Sequence, residues 1–361
     1  MNEPTRRQLT ALGFVALLSP ATRLLPGAAA RLGGHAGWLG SVLAAPLCVL
    51  AALLVSRAVK NRRPGEGLGQ LLLRALPRLS RPVLLIYGLW LAFYAGFAVR
   101  SAASRFIYTI YTGSSPWPFA AVGLAAGTLA ALGSVRQLAR AAEIFRALLM
   151  LTLAPILALG LAQLDWGELL PLRGADLPRL AAFALEVFGT VAFALVNVTF
   201  LETGAPLERR ARAAAGWSLR ECLFICVVIA SVLGRFGPEL AGEMAYPFFA
   251  LVRNTSLFGV SQRIEALVTA LWVLSDFVLC ALALMSASLC LRLALGAKPG
   301  ARPRAAVTAA CALLALGSAL VLAPDSLTLR WVSEVLVVRL NLAMLCLMLP
   351  LLALAGGRLK T

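Results

Sequence analysis

Charge is scarce in this chain. Only 14% of its 361 residues are Asp, Glu, Lys or Arg, against about 25% in soluble proteins, too few to cover a water-exposed surface of that size. Histidine is nearly absent, with His35 alone, which removes the residue most used as general base and metal ligand. The seven cysteines (Cys48, Cys222, Cys226, Cys280, Cys290, Cys311, Cys346) form no Cys-x-x-Cys pair and lie in apolar stretches. They read as small apolar fillers, not as a disulfide framework or zinc site. No His, Cys or paired carboxylates stand at catalytic spacing, so neither an enzyme, a metal nor a cofactor is expected. What is present is apolar: 60% of the residues, with a mean hydropathy of +0.86. The net charge of +17 sits in short runs between apolar stretches, not on one basic face, which argues against nucleic acid as a partner. The composition is that of an all-α polytopic protein of the lipid bilayer.

A helix needs about 20 apolar residues to cross roughly 30 Å of hydrocarbon. The chain offers ten such runs, near 8–31, 36–59, 82–111, 117–135, 141–163, 179–201, 213–234, 262–292, 305–323 and 331–355. None shows the two-residue alternation of barrel strands. If the N-terminus is inside, the cytoplasmic segments carry roughly twice the basic residues of the outer ones, so the positive-inside rule predicts both termini inside.

The spacing of the runs repeats after the fifth. Runs three and eight are the long ones, and amphipathic pieces precede both, at Leu68–Leu79 and Glu239–Phe258. Five being odd, the second half enters from the opposite side. The pattern therefore predicts one transmembrane domain, 1–361, built as a five-plus-five inverted repeat of about 8–163 and 179–355. In such folds the first helix of each half is the broken one. Pro20 and Pro26 mark run one, with the interruption expected between Leu18 and Thr22, and Gly189 followed by Thr190 marks run six, with a non-helical turn at Phe188–Thr190. A ligand cavity between the two breaks would take Ser19, Ala21 and Thr22 from one side and Glu186, Phe188, Gly189 and Thr190 from the other.

Ionisable groups inside spans cost about 2.5–3.5 kcal/mol and need partners or water. Asp276, near the middle of run eight, reads as a proton-coupling carboxylate, a counter-charge for a ligand amine, or half of an ion pair with Arg339 first and Arg100 second. Glu143 and Arg146, three apart, read as a local pair. Ser286 and Ser288 offer hydroxyls for a cation, although buried serine more often bonds its own helix.

Five stretches carry a resemblance to a known family: LGFVALLSPATRLLP ending at Pro26, AAEIFRALLMLTLAPIL from Ala141, ELLPL from Glu168, EVFGTVAF around Gly189, and above all Ala245–Leu279, with its Tyr-Pro-x-x-x-Leu-Val-Arg segment at Tyr246–Arg253. The chain resembles the B subunit of the spore germinant receptors, within the amino acid, polyamine and organocation transporter superfamily. The resemblance implies a ten-helix fold like that of sodium-coupled amino acid transporters, with helices 1 and 6 broken around a small ligand. It implies a receptor subunit in the cytoplasmic or spore inner membrane that senses a germinant such as an amino acid, beside a large membrane subunit and a lipoprotein subunit. A secondary active amino acid transporter is the alternative. Where the family shows a Gly-x-Gly break in helix one, this chain has Ser19-Pro20-Ala21-Thr22, which leaves less room for a ligand against the backbone.

Overall fold

The computed structural model describes residues 3–60, 62–63, 65–109, 113–170, 177–201, 210–254, 261–298, 300–322 and 325–358, and among these every regular element is a helix. In chain order they are α1 (Arg6–Arg23), α2 (Leu25–Ala28), α3 (Leu39–Val59), α4 (Leu68–Ala75), α5 (Pro77–Thr109), α6 (Trp117–Leu132), α7 (Val135–Ala162), α8 (Leu177–Leu201), α9 (Arg210–Glu243), α10 (Pro247–Asn254), α11 (Ser261–Ala294), α12 (Ala301–Leu322), α13 (Ser326–Trp331) and α14 (Val338–Arg358). π-Helical turns at Ala29–Gly33 and Val332–Val337 continue α2 and α13. Eight of the described helices are long and apolar enough to span a bilayer; α1 with the bent continuation Leu25–Ala36 makes a ninth, and α6 is a shorter apolar helix of 16 residues. These positions follow the ten apolar runs.

Local chemistry sets several of the boundaries. Thr5 and Gln8 form a capping box at the start of α1, and Ser134 and Gln137 repeat it at α7, each satisfying two orphan backbone donors. Asp325 caps α13, and the donations from the Thr328 backbone and hydroxyl hold its carboxyl below the usual carboxylate range. α9 bends at Gly237, whose φ of 71° is open to glycine alone at little cost, immediately before Pro238.

The two amphipathic pieces are shorter than the sequence implies. α4 stops at Leu76, whose φ of −142° leaves the helix, and Pro77 starts α5. Glu239–Glu243 belong to the end of α9, and α10 covers only Pro247–Asn254. Residues 255–258 of that piece, and Pro171 and Leu172 of the ELLPL stretch, lie outside the described residues.

Packing comes in matched pairs. α1 lies on α7 as α14 lies on α8; α5 lies on α12 as α11 lies on α6; α3 lies on α8 as α2 and its π-helical turn lie on α9. α5 and α11 cross at the centre and are the most enclosed spans, while α12 and α7 are the least. Lipid is as apolar as leucine, so close approach of backbones, not water exclusion, holds such helices together. Glycines sit at two equivalent crossings. A Cβ on Gly96 would lie 2.0 Å from the Ala315 carbonyl oxygen on α12, and one on Gly127 would lie 2.5 Å from the Cys280 sulfur on α11.

Candidate functional site

α1 does not break where its proline stands. The helix runs without interruption through Leu18–Thr22 and ends at Arg23, after which Leu25–Ala36 departs at 44°. The reason lies on α11. Pro20 crowds the turn before it, and there the Ser19 amide donates to the Ser275 hydroxyl at 3.0 Å, while that hydroxyl donates to the Val15 carbonyl at 2.6 Å. Ser275 thus bridges the Ser19 amide and the Val15 carbonyl, while the Ala16 carbonyl, the acceptor Pro20 would have used, receives nothing from Pro20. Thr22 completes the repair by donating to the Leu18 carbonyl at 2.8 Å. The chain bends one turn later, where Pro26 ends the ladder.

The next residue of α11 carries the charge. Asp276 is buried, accepts a hydrogen bond from Ser19 Oγ on one oxygen and pairs with Arg105 through the other. The expected partners are therefore corrected. Arg339 is exposed on its helix, and Arg100 stacks on the Trp117 ring at 4.9 Å and bonds Ser104. Arg100 and Arg105 share α5, but five residues place them about 140° apart around a helix, and only Arg105 turns inward to Asp276. A second buried arginine, Arg23, lies in the same compartment with its guanidinium 5.6 Å from the Phe97 ring centre.

Beside this network α1, α5, α8 and α11 enclose a small cavity of about 10 Å³, room for the centre of one water molecule. Pro20 and Ala16 of α1, Tyr94 of α5, and Thr190 and Asn197 of α8 line it, with apolar groups such as Phe193 and Leu279 between them. Of the expected ligand-site residues only Thr190 is on its wall. Ser19 faces Asp276, while Ala21 and Thr22 are packed away in the core.

α8 also departs from expectation, since it is continuous from Leu177 to Leu201 and has no turn at Phe188–Thr190. Gly189 is there for packing: a Cβ on it would meet Leu342 of α14 at 3.3 Å. Phe188 packs on the core, and Glu186 is half-buried with Arg31 within electrostatic reach. Arg31, on the π-helical turn after α2, pairs at 2.8 Å with Glu334 on the π-helical turn before α14, and donates to the Gly242 carbonyl. π-Turns with such contacts collect at functional positions. Elsewhere Glu143 pairs with Arg7 of α1 at 2.8 Å instead of Arg146, and Ser288 accepts from Thr308 of α12.

Sequence reasoning missed Tyr94, Asn197 and Ser275, and it placed Arg105 inside the third run without pairing it to Asp276. Asn197 had a signal, a lone amide in an apolar run, where it now accepts from Tyr87. Ser275 had none, because its value depends on a backbone 256 residues away.

The model for spore germination proteins matches residues 5–323. No curated protein sequence matches the chain significantly. Among solved structures, MhsT in complex with L-phenylalanine superposes with a TM-score of 0.70 at 12% identity, over 96% of this chain and 89% of that one. That likeness is one of fold.

Proposed function

Because the chain belongs to the spore germination protein family, we propose that it is the membrane subunit of a germinant receptor, sensing a small nutrient such as an amino acid through a transporter-like fold. One observation carries this reading: the bent first span and the intact α8 meet at an enclosed cavity next to the Ser19–Asp276–Arg105 network. Ligand capture there would widen the cavity by moving α1 against α8 and α11, a population shift that neighbouring subunits read. The role needs binding and movement but no chemical step.

The binding site is the space between α1 and α8 at Thr190. The chain forms a single transmembrane domain of two inverted repeats, about 8–163 and 179–355, a reading supported by the matched packing pairs. Both termini face the cytoplasm, on the basic asymmetry of the loops. The setting is the cytoplasmic or spore inner membrane, with a large membrane subunit and a lipoprotein subunit as partners.

A secondary amino acid transporter is the competing function, favoured by the fold shared with MhsT bound to L-phenylalanine. Proteoliposomes holding only this chain separate the two. A sensor binds labelled amino acids without concentrating them under a sodium or proton gradient; gradient-driven accumulation would make the chain a transporter. A cysteine introduced within 300–304 should resist an impermeant thiol reagent in intact cells, and labelling there would reverse the orientation.

A further inference from the structure

Arg23 is the last residue of α1 before the bend and is 4% exposed. Among the described residues none of its three guanidinium nitrogens has a hydrogen-bond partner. Guanidinium carries five N–H donors, accepts nothing and stays protonated, so burial without an acceptor is a standing cost with no route to neutrality. The Phe97 face absorbs only part of the cation.

Among the described residues Asp276 is the compartment's one carboxylate, and it is already engaged. Asp276 gives one oxygen to Ser19 and the other to Arg105, leaving two cations against one anion. The missing element is a second anion. The cavity lies about one helical turn away: Arg23 and Phe97 are not on its wall, but Pro20, three residues before Arg23, and Tyr94, three before Phe97, line it, so a ligand widening the cavity along α1 and α5 would extend its anion to the guanidinium.

We propose that Arg23 is the receptor for a carboxylate carried by the ligand, held bidentately by the guanidinium fork. The proposal rests on the nutrient-sensing reading and narrows it. The remaining walls are mostly apolar, with Leu17, Phe193 and Leu279 among them, so the body of the ligand is small and apolar. An ammonium on the same ligand meets the Ala16 carbonyl, to which Pro20 has no N–H to give. Ligands that are purely cationic, such as polyamines, are repelled by the net positive compartment.

The test uses the purified full-length chain in detergent, read by thermal unfolding. The probes are L-alanine, L-leucine and L-phenylalanine, their amides, the corresponding acids lacking the amine, and sodium chloride at matched ionic strength. The acids should raise the midpoint while the amides and chloride do not, and Arg23→Gln should lose the shift. Its own unliganded midpoint should equal or exceed that of the parent, because an uncompensated buried charge has gone; a structural arginine would instead give a lower midpoint that Arg23→Lys restores. The assignment is overturned if amides match acids, if chloride alone reproduces the shift, if no carboxylate acts, or if Arg23→Gln keeps the shift. In that last case amino acid sensing survives without Arg23. If only the acids lacking an amine act, and through Arg23, the carboxylate site stands while the amino acid reading fails.

Discussion

α1 and α8 hold corresponding places in the two halves, yet one is bent and mended while the other is a plain helix. Span one carries Pro20 in α1 and Pro26 in α2, borrows a hydroxyl from α11 and turns by 44° between the two helices. α8 has its one proline, Pro178, in the first turn, where no intrahelical donor is lost, and its one glycine makes room for Leu342. Backbone groups freed in a membrane must be satisfied by something, so a break is kept only where a partner stands ready. Ser275 and Asp276 supply that partner to α1, and among the described residues no equivalent pair bonds the middle of α8. Of the two helices, α1 is followed by a bend and held from α11, whereas α8 is continuous and packed on α14.

The largest effect should come from removing the charge that anchors α1 to α11. Asp276→Ala leaves Arg105 buried with its anion gone, and such a loss costs about 3–5 kcal/mol. Unfolding in detergent should show it, and Asp276→Leu combined with Arg105→Met should recover most of the stability. Recovery by Arg339→Gln instead would return the pairing to the outer face of α14.

Ser275→Ala tests the mend itself. It orphans the Ser19 amide and the Val15 carbonyl, at about 1–3 kcal/mol for an unsatisfied buried group. Pro20→Ala removes the distortion that called for the hydroxyl, so the double variant should cost less than the sum of the two singles. Strict additivity would mean that Ser275 and Pro20 act independently.

These contacts mark the limit of what the sequence discloses. The spans are legible because bilayer thickness imposes a length of apolar chain that no other context demands. Pro20 is equally visible, but whether it breaks its helix depends on a hydroxyl from α11. In the same way Asp276 announces that it needs a cation, while the choice of Arg105 over Arg100 is made by the rotation of α5 about its axis. Gly189 misleads because break and close packing use the same residue, and Leu342 decides between them.

A smaller effect is expected at the ends of spans one and ten. Arg31 and Glu334 are about one-third exposed, and Glu334 Oε1 is shared with Arg330 at 3.0 Å. Pairs of this exposure contribute less than about 1 kcal/mol and are screened by salt. A double-mutant cycle of Arg31→Gln and Glu334→Gln should give a coupling of that size, shrinking at high ionic strength. A salt-independent coupling of several times that value would mean that the bend of span one is locked from α14 and not from α11.

The smallest effect should be that of Gly189→Ala. Alanine is favoured over glycine inside a helix by about 1 kcal/mol, and the added methyl would meet the end of the Leu342 side chain at 3.3 Å. That end can turn by a few tenths of an ångström, so gain and loss nearly cancel and the unfolding midpoint should hold within about 0.5 kcal/mol. The germination response should hold as well, because a helix that never opens at Gly189 gains nothing from glycine's freedom there. If the response is lost while stability is kept, then α8 opens at Gly189 in another state of the working cycle. The contrast between the two helices would then be one of conformation, and the bend of α1 would be the half already displayed.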